Sequence, residues 1–426
     1  MKMRQGTYQN IIPVFSCREE GAERPGFAAR LRHRIRAAGT AAACTVIFAV
    51  SLLAGCGRPG NLTSSNILPG VLTYTIDSSD DTGYFTSLAM DANNNPWIAY
   101  YDNTAGALKL VHYNGASFVT EVVDDSGDAG WYPSLALDAS GEPHITYYDA
   151  KDRDLKYAYK TQQGWVINTV DDLNIGGYGE YSSLKLDVAG NPHFCYITHV
   201  LNDELRYGFV TTQGFVLQTV DSGQSILPTT GTGNIDMTTS LQLLPNGSPV
   251  ISYYDASNGI LKMAQYDSAT QTWNDQVVAD GSELPSPGNL PPSRDVGMYN
   301  SLVLDGDNNP HISYYDADYG TLRYAYFNGV IWTYQYIDPK GFTGAYNSIA
   351  LDQSGNPVVA YQDVTNGAVK IAFDQKGSWK TYYIDSSNYY RTGYWISLAI
   401  AGNNGIGISY RNATTHALVF SFVNYY

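Results

Sequence analysis

The sequence predicts an all-β fold made of seven repeated units, each with four short strands. The composition is the first indication. Among 426 residues there are 36 Tyr and 41 Gly, and only 15 % are charged, which suits pleated strands and tight turns better than helices. The second indication is a repeat of the segment Ser134–Asp138, Ser-Leu-Ala-Leu-Asp, at intervals of 47 to 61 residues. Its seven close or degenerate copies begin at Ser87, Ser134, Ser183, Ser240, Ser301, Ser348 and Ser397.

Each unit contains four candidate strands in a fixed order. The first is the Ser-Leu-Ala-Leu segment, in which apolar residues alternate. A turn with Gly and Pro leads to the second strand, of which His144–Asp149 is typical. The third begins six residues after that Asp, at Leu155 in the same unit. The fourth begins at an aromatic residue, Trp165 here, and ends at Asp171.

The two ends of the repeat array predict how the fold closes. The seventh unit stops after its third strand, within 417–426, whereas an unpaired fourth strand, Val71–Asp77, precedes the first unit. Pairing these two segments would close a ring and remove an exposed sheet edge. We therefore predict that residues 71–426 form a seven-bladed β-propeller with four-stranded blades, closed by an N-terminal strand that completes the last blade. The alternative, a linear β-solenoid, would not need the spare strand.

The N-terminal region has the properties of a secretory signal. Residues 1–56 hold eight Lys or Arg and three acidic residues, so the remainder has 17 basic and 37 acidic residues and a net charge of −20. An Arg-rich flank precedes a mostly apolar run, Ala37–Ala54. The run ends Leu53-Ala54-Gly55-Cys56, which resembles the lipobox of bacterial lipoproteins. In that family the Cys thiol is acylated and the chain is cut before it.

This resemblance implies a division of the chain and an address. Residues 1–55 would be a signal peptide, 56–70 the lipidated Cys56 with a short linker, and 71–426 the propeller. The protein would be lipid-anchored in the membrane outside the cytoplasm, at the outer membrane or cell surface. The alternative is an uncleaved signal anchor, because 18 mostly apolar residues can just span a bilayer.

The repeat also resembles tandem repeats of secreted bacterial proteins that are related in style to sialidase-like propellers. The resemblance implies a fold rather than a function, because propellers host many activities. Sialidases hold a substrate carboxylate with three Arg, but here a basic residue recurs in six units, which favours a structural ion pair. These residues are Lys109, Lys156, Arg206, Lys262, Arg323 and Lys370. The segment Ser126–Trp131 only approximates the sialidase Asp-box.

A second repeated pattern, Gly-x-aromatic-x-Ser, precedes the first strand in six units. The first strand is innermost in a propeller, so these aromatic side chains should surround the channel mouth and could stack on sugar rings. Packing against the neighbouring blade is the simpler interpretation. The candidate ligand-binding residues are Phe85, Tyr132, Tyr181, Tyr299, Tyr346 and Trp395. Unit four breaks the pattern with Asp236 and Thr238.

Two sets of Asp residues should lie at the same end of the blades as these aromatics. One set ends the fourth strands, as Asp124 does, and the other follows the paired tyrosines, as Asp149 does. We expect an acidic face there. Its Asp side chains would either cap their own turns or form a Ca2+ site or a surface for a basic partner. The two longest connectors, Ser222–Thr239 and Gly281–Asn300, should lie on this face.

These observations favour a binding or interaction module over an enzyme. The ligand would be a glycan or a protein, and we assign no catalytic residue, metal or cofactor. The strong acidity argues against nucleic acid as a partner. Two alternatives stay open, namely a polysaccharide hydrolase or lyase that uses Asp carboxylates, and a structural scaffold of the cell envelope.

Overall fold

The computed structural model describes residues 67–171, 178–198, 204–222, 238–286, 290, 292–386, 391–402 and 405–424. In these residues the chain forms 28 β-strands. In chain order they are β1 Val71–Asp77, β2 Tyr84–Met90, β3 Pro96–Asp102, β4 Ala107–Tyr113, β5 Phe118–Asp124, β6 Ala129–Leu137, β7 Pro143–Asp149, β8 Asp154–Thr161, β9 Gly164–Asp171, β10 Tyr178–Leu186, β11 Pro192–Thr198, β12 Glu204–Thr211, β13 Gly214–Ser222, β14 Thr239–Leu243, β15 Pro249–Asp255, β16 Ile260–Asp267, β17 Thr272–Ala279, β18 Val296–Leu304, β19 Pro310–Asp316, β20 Thr321–Phe327, β21 Trp332–Asp338, β22 Thr343–Leu351, β23 Pro357–Asp363, β24 Ala368–Asp374, β25 Trp379–Asp385, β26 Thr392–Ile400, β27 Gly405–Asn412 and β28 Ala417–Asn424.

The strands form seven antiparallel sheets of four strands each, and these are the blades of a β-propeller. Blades one to six each use four consecutive strands, from β2–β5 to β22–β25. Blade seven has the order β26-β27-β28-β1, in which Val71 of β1 lies opposite Val423 of β28. The predicted seven-bladed propeller and its closure by the N-terminal strand are therefore confirmed.

The core lies between the blades, because each sheet is covered on both faces by its neighbours. Strand β7, the second of blade two, is almost completely buried along its length. Side chains of adjacent blades share hydrophobic clusters. Leu108 and Leu110 of blade one, for example, pack in one cluster with Leu135, Ile145 and Ala158 of blade two. Alternating apolar residues of each strand thus face the preceding and following blades in turn.

A ring of hydrogen bonds joins the innermost strands of all seven blades. In each case the Ser that opens the repeat accepts a bond from the backbone N–H of the next blade, at 2.9 to 3.2 Å. The donors and acceptors are Leu135 and Ser87, Leu184 and Ser134, Leu241 and Ser183, Leu302 and Ser240, Ile349 and Ser301, Leu398 and Ser348, and Leu88 and Ser397. The last pair joins blade seven to blade one, so the ring is continuous.

The N-terminal predictions fall outside the described residues. Cys56 and the apolar run before it belong to this part of the chain. Within the described residues there is no helix of the length and hydropathy needed to cross a bilayer.

Replacing one of the ring serines tests its contribution to stability. Ser134→Ala removes the acceptor of the Leu184 N–H, and Leu184 is 2 % exposed. We expect the free energy of unfolding to fall by about 1–3 kcal/mol, the cost of a buried donor left without a partner. Chemical denaturation measures this change. The control Ser140→Ala alters an exposed turn residue and should leave stability unchanged, and equal effects of the two changes would contradict a special role for the ring.

Candidate functional site

The structure brings all six predicted aromatic side chains to one depression. The innermost strands contact one another around the ring, and the depression lies where these strands begin. It contains about 610 Å³ of space that protein atoms do not fill, including the part open to solvent. Its aromatic lining consists of Phe85, Tyr132, Tyr181, Tyr299, Tyr346 and Trp395, and each of these side chains is half-buried.

The six aromatic residues share an uncommon backbone conformation. Their φ angles lie between +48° and +55°, a region that bulky residues rarely adopt and that costs on the order of 1–3 kcal/mol per residue. The Gly two positions earlier is required by space as well. A Cβ on Gly130 would lie 2.7 Å from Leu108 Cα of the preceding blade. In this motif the Gly allows close contact with the preceding blade, and the aromatic residue two positions later has a positive φ.

A bulge within the first strand accompanies this conformation. The register between β6 and β7 shifts between Trp131 and Ser134, so Tyr132 lies on the bulge. The sequence places the Gly-x-aromatic segment before the first strand, whereas in blade two it lies within β6, which begins at Ala129. Strand β6 is longer than predicted because its pairing with β7 continues N-terminal to the bulge, as far as Ala129 opposite Asp149.

The aromatic rings contact one another from blade to blade. Their centroids lie 4.2 Å apart for Tyr132 and Tyr181, 4.4 Å for Phe85 and Tyr132, and 4.9 Å for Phe85 and Trp395. The series continues at 5.8 Å from Trp395 to Tyr346 and 4.7 Å from Tyr346 to Tyr299. The ring planes are tilted by 36° to 60° to one another, so most of these contacts are closer to edge-to-face than to parallel stacking. The rings thus pack on neighbouring blades and also line an open depression.

Polar side chains between the rings fix the backbone of the aromatic residues. Thr86 Oγ1 donates to the carbonyl of Trp395 at 2.7 Å, and Thr239 Oγ1 donates to that of Tyr181 at 2.7 Å. Two polar atoms of the lining, Trp395 Nε1 and Thr238 Oγ1, are buried from solvent and have no hydrogen-bond partner among the described residues.

The depression has no strongly charged lining. Besides the aromatic residues, the described residues that line it are Thr, Ser, Asn, Pro and Ile, and none is Asp, Glu, Lys, Arg or His. A pair of carboxylates that could serve as acid and base is therefore missing from the described wall of the depression.

The predicted acidic face is not exposed. The Asp residues lie at the expected end of the blades, but those that follow the tyrosines are at most 3 % exposed: Asp102, Asp149, Asp255, Asp316 and Asp363. Asp124 accepts a bond from Tyr147 Oη at 2.6 Å and from the turn N–H of Ser126 at 2.9 Å. Burial alone would raise the pKa of Asp124, yet these hydrogen bonds hold it below its usual value. The Asp residues therefore serve turns and blade contacts rather than an open surface.

The six repeated basic residues form structural ion pairs, as predicted. Three pair with the Asp of their own blade and three with the Asp that ends the preceding blade. The pairs are Lys109–Asp102, Lys156–Asp149, Arg323–Asp316, Arg206–Asp171, Lys262–Asp221 and Lys370–Asp338. No group of three or more His, Cys, Asp or Glu side chains in the described part of the chain could hold a metal ion, so the Ca2+ alternative has no ligand set there.

The long connectors flank blade four. Most of the first one, residues 223–237, lies outside the described residues. At the start of the second, Glu283 Oε2 lies 3.7 Å from Nη1 of the fully buried Arg323, and burial raises the pKa of Glu283. Asp280, which directly follows β17, is exposed and accepts a bond from Ser282. The buried Tyr314 hydroxyl lies beside the Arg323 guanidinium and, unlike its counterparts in other blades, bonds to none of the described Asp residues.

Two structural roles were missed by the sequence interpretation. The repeated Ser was treated as a marker of the unit, although it forms the ring of hydrogen bonds. The Tyr at the fifth position of the second strand was not assigned, although in blades two and three Tyr147 and Tyr196 donate across the blade interface to Asp124 and Asp171. Both residue types recur at fixed positions, and that recurrence was the available signal.

Comparisons with known proteins support the fold. No protein-family model and no curated protein matches the chain. The polysaccharide lyase Uly1 is similar in structure, with a TM-score of 0.50 and 9 % identity over 81 % of this chain and 91 % of that one. An ulvan lyase has a TM-score of 0.49 and 12 % identity over 80 % and 94 %. A Hadza microbial sialidase has a TM-score of 0.44 and 12 % identity over 77 % and 76 %. At these identities the likeness concerns the fold alone.

The backbone strain at the aromatic positions can be measured by comparing Gly with Ala. Tyr132→Ala and Tyr132→Gly both lose the ring contacts, but only Ala retains the cost of a positive φ. We expect the Gly variant to be more stable than the Ala variant by about 1–2 kcal/mol in chemical denaturation. At Tyr159, within strand β8, the order should reverse, because Gly weakens an ordinary strand. If the Ala variant were more stable than the Gly variant at position 132, the backbone of Tyr132 would not be strained.

Proposed function

We propose that the propeller is a binding module and that the aromatic depression holds a neutral saccharide without cleaving it. One observation carries this proposal: six half-buried aromatic residues, held in a strained conformation, line a single depression with uncharged polar side chains. Strain of this kind persists where a site depends on it. Apolar walls with a few placed hydroxyl and amide groups suit a sugar, whose faces are apolar and whose rim is hydroxylated.

The shape of the depression favours a saccharide over a protein as the ligand. A stable protein interface buries about 800 Å² on each partner and is fairly flat. The depression is concave, and its aromatic and uncharged polar side chains converge on one place, as they do in small-ligand sites. The absence of Lys and Arg from the described lining favours a neutral sugar over an acidic one, since carboxylates are usually held by such residues.

Cleavage of a polysaccharide is supported less well. Glycoside hydrolysis by two carboxylates needs both groups beside the scissile bond, and the described lining has neither. Most of the repeated Asp residues at this end of the blades are buried in ion pairs and turns, whereas Asp280 is exposed. The fold resemblance to a polysaccharide lyase does not alter this argument, because the activity depends on the site rather than on the fold.

Anchoring by lipid at Cys56 is part of the proposal. The Leu-Ala-Gly-Cys segment follows an apolar run with a basic flank, which is the arrangement of a lipoprotein signal. The propeller would then face the exterior of the cell from the outer membrane or cell surface.

Binding can be tested with an array of neutral and acidic oligosaccharides. We expect the wild-type propeller to bind neutral members. Tyr299→Ala should weaken this binding by about 1–3 kcal/mol, or roughly 5–150-fold, because a ring that lines the depression is lost. The control is Tyr74→Ala, which removes a 43 % exposed ring from the outer strand β1. An array without signals would contradict the proposal, as would equal losses in the two variants.

The anchor has an independent test. Cys56→Ser removes the acyl acceptor, so labelling with a radioactive fatty acid should be abolished and the precursor should remain uncut. The control Cys44→Ser alters a cysteine within the apolar run and should leave labelling intact. Normal labelling of Cys56→Ser would contradict a lipoprotein.

A further inference from the structure

The circle of aromatic residues has one interruption, at blade four. Each aromatic stands two positions before the Ser of its repeat, and Thr238 occupies that place before Ser240. The hydrogen bonds confirm the equivalence. Asn300 Nδ2 donates to the carbonyl of Thr238 at 2.8 Å, as Thr239 Oγ1 does to the carbonyl of Tyr181 one blade earlier. Thr238 therefore stands where a seventh ring would stand.

The interruption has the width of one ring. Neighbouring rings elsewhere in the circle have centroids 4.2 to 5.8 Å apart. Tyr181 and Tyr299 are two blades apart, so at the spacing of the other blades one ring would lie between them. Tyr181, Thr238 and Tyr299 all line the open depression, so this place is continuous with it.

Thr238 also supplies a polar atom at this place. Its Oγ1 is buried from solvent and has no hydrogen-bond partner within the structure. A hydroxyl group can donate one bond and accept others, so it matches a sugar hydroxyl in either role. A buried polar atom without a partner costs free energy, and a ligand that supplies the partner recovers it.

We propose that one pyranose ring of a neutral saccharide occupies the position of the missing seventh ring. It lies between the rings of Tyr181 and Tyr299, and one of its hydroxyl groups bonds to Thr238 Oγ1. This inference rests on the proposed function and narrows it to blade four. Thr238 is thus a specificity-determining residue, since a larger side chain there would complete the circle from within the protein.

The experiment fills the place with a protein side chain. Thr238→Tyr adds a ring at this position. Because blade four has Asp236 where the other six blades have Gly, the melting temperature of the variant is measured first to show that it is folded. On the same oligosaccharide array its signals should fall about tenfold or more, because the added ring excludes the sugar. The control is Thr75→Tyr, which makes the same change at an exposed position of the outer strand β1, away from the depression, and should retain the signals.

A second variant keeps the inference testable if Thr238→Tyr does not fold. Thr238→Val preserves volume and removes only the hydroxyl, and we expect its signals to fall about 2–10-fold, the effect of one hydrogen bond. Retained signals in a folded Thr238→Tyr, or in Thr238→Val, would overturn the placement. If those signals persist while Tyr299→Ala loses binding, the site at blade four is wrong but the proposed function stands. A wild-type protein with no array signal would overturn both.

Discussion

The hydrogen bond that each repeated Ser hydroxyl accepts from a backbone N–H of the next blade sets the geometry of the whole propeller. It recurs at every blade interface, and the bond between Ser397 and Leu88 joins the last blade to the first. Strand β1 closes the same interface from the outer edge of blade seven. Because the bond lies two residues beyond the aromatic position, the spacing it imposes on the inner strands also sets the spacing of the rings.

This arrangement allows the fold to tolerate a strained backbone conformation at the aromatic positions. At Tyr132 a positive φ is unfavourable on its own, but the chain is held on both sides. Gly130 lies against the backbone of the preceding blade, and Ser134 is bonded to the following one. Between these two points the chain has one residue too many for regular pairing, and the bulge turns the aromatic ring toward the depression. The contacts that hold the backbone at this bulge therefore also place the aromatic side chains around the depression.

Much of this architecture is predictable from the sequence, and the reason is repetition. The Ser-Leu-Ala-Leu-Asp segment gives the number of blades, and the spare strand Val71–Asp77 gives the closure. The gathering of the aromatic residues follows from the inner position of the first strand. The burial of the Asp residues was not predictable, because it depends on partners in another strand or blade, such as Tyr147 for Asp124. The positive φ of Tyr132 leaves no signal in composition or hydropathy.

The departures from symmetry indicate where the propeller is specialised. Closure of the ring needs only the short connectors that most blades use, yet the two longest connectors flank blade four. Blade four is also the blade with Thr238 in place of an aromatic residue. At the interface between blades four and five, Asp280 accepts a hydrogen bond from Ser282, and Glu283 lies close to Arg323. Among the described residues, the change at Asp280 leaves the Tyr314 hydroxyl without the Asp that Tyr147 has in blade two. We propose that the ligand site accounts for the concentration of these departures on one side of the ring.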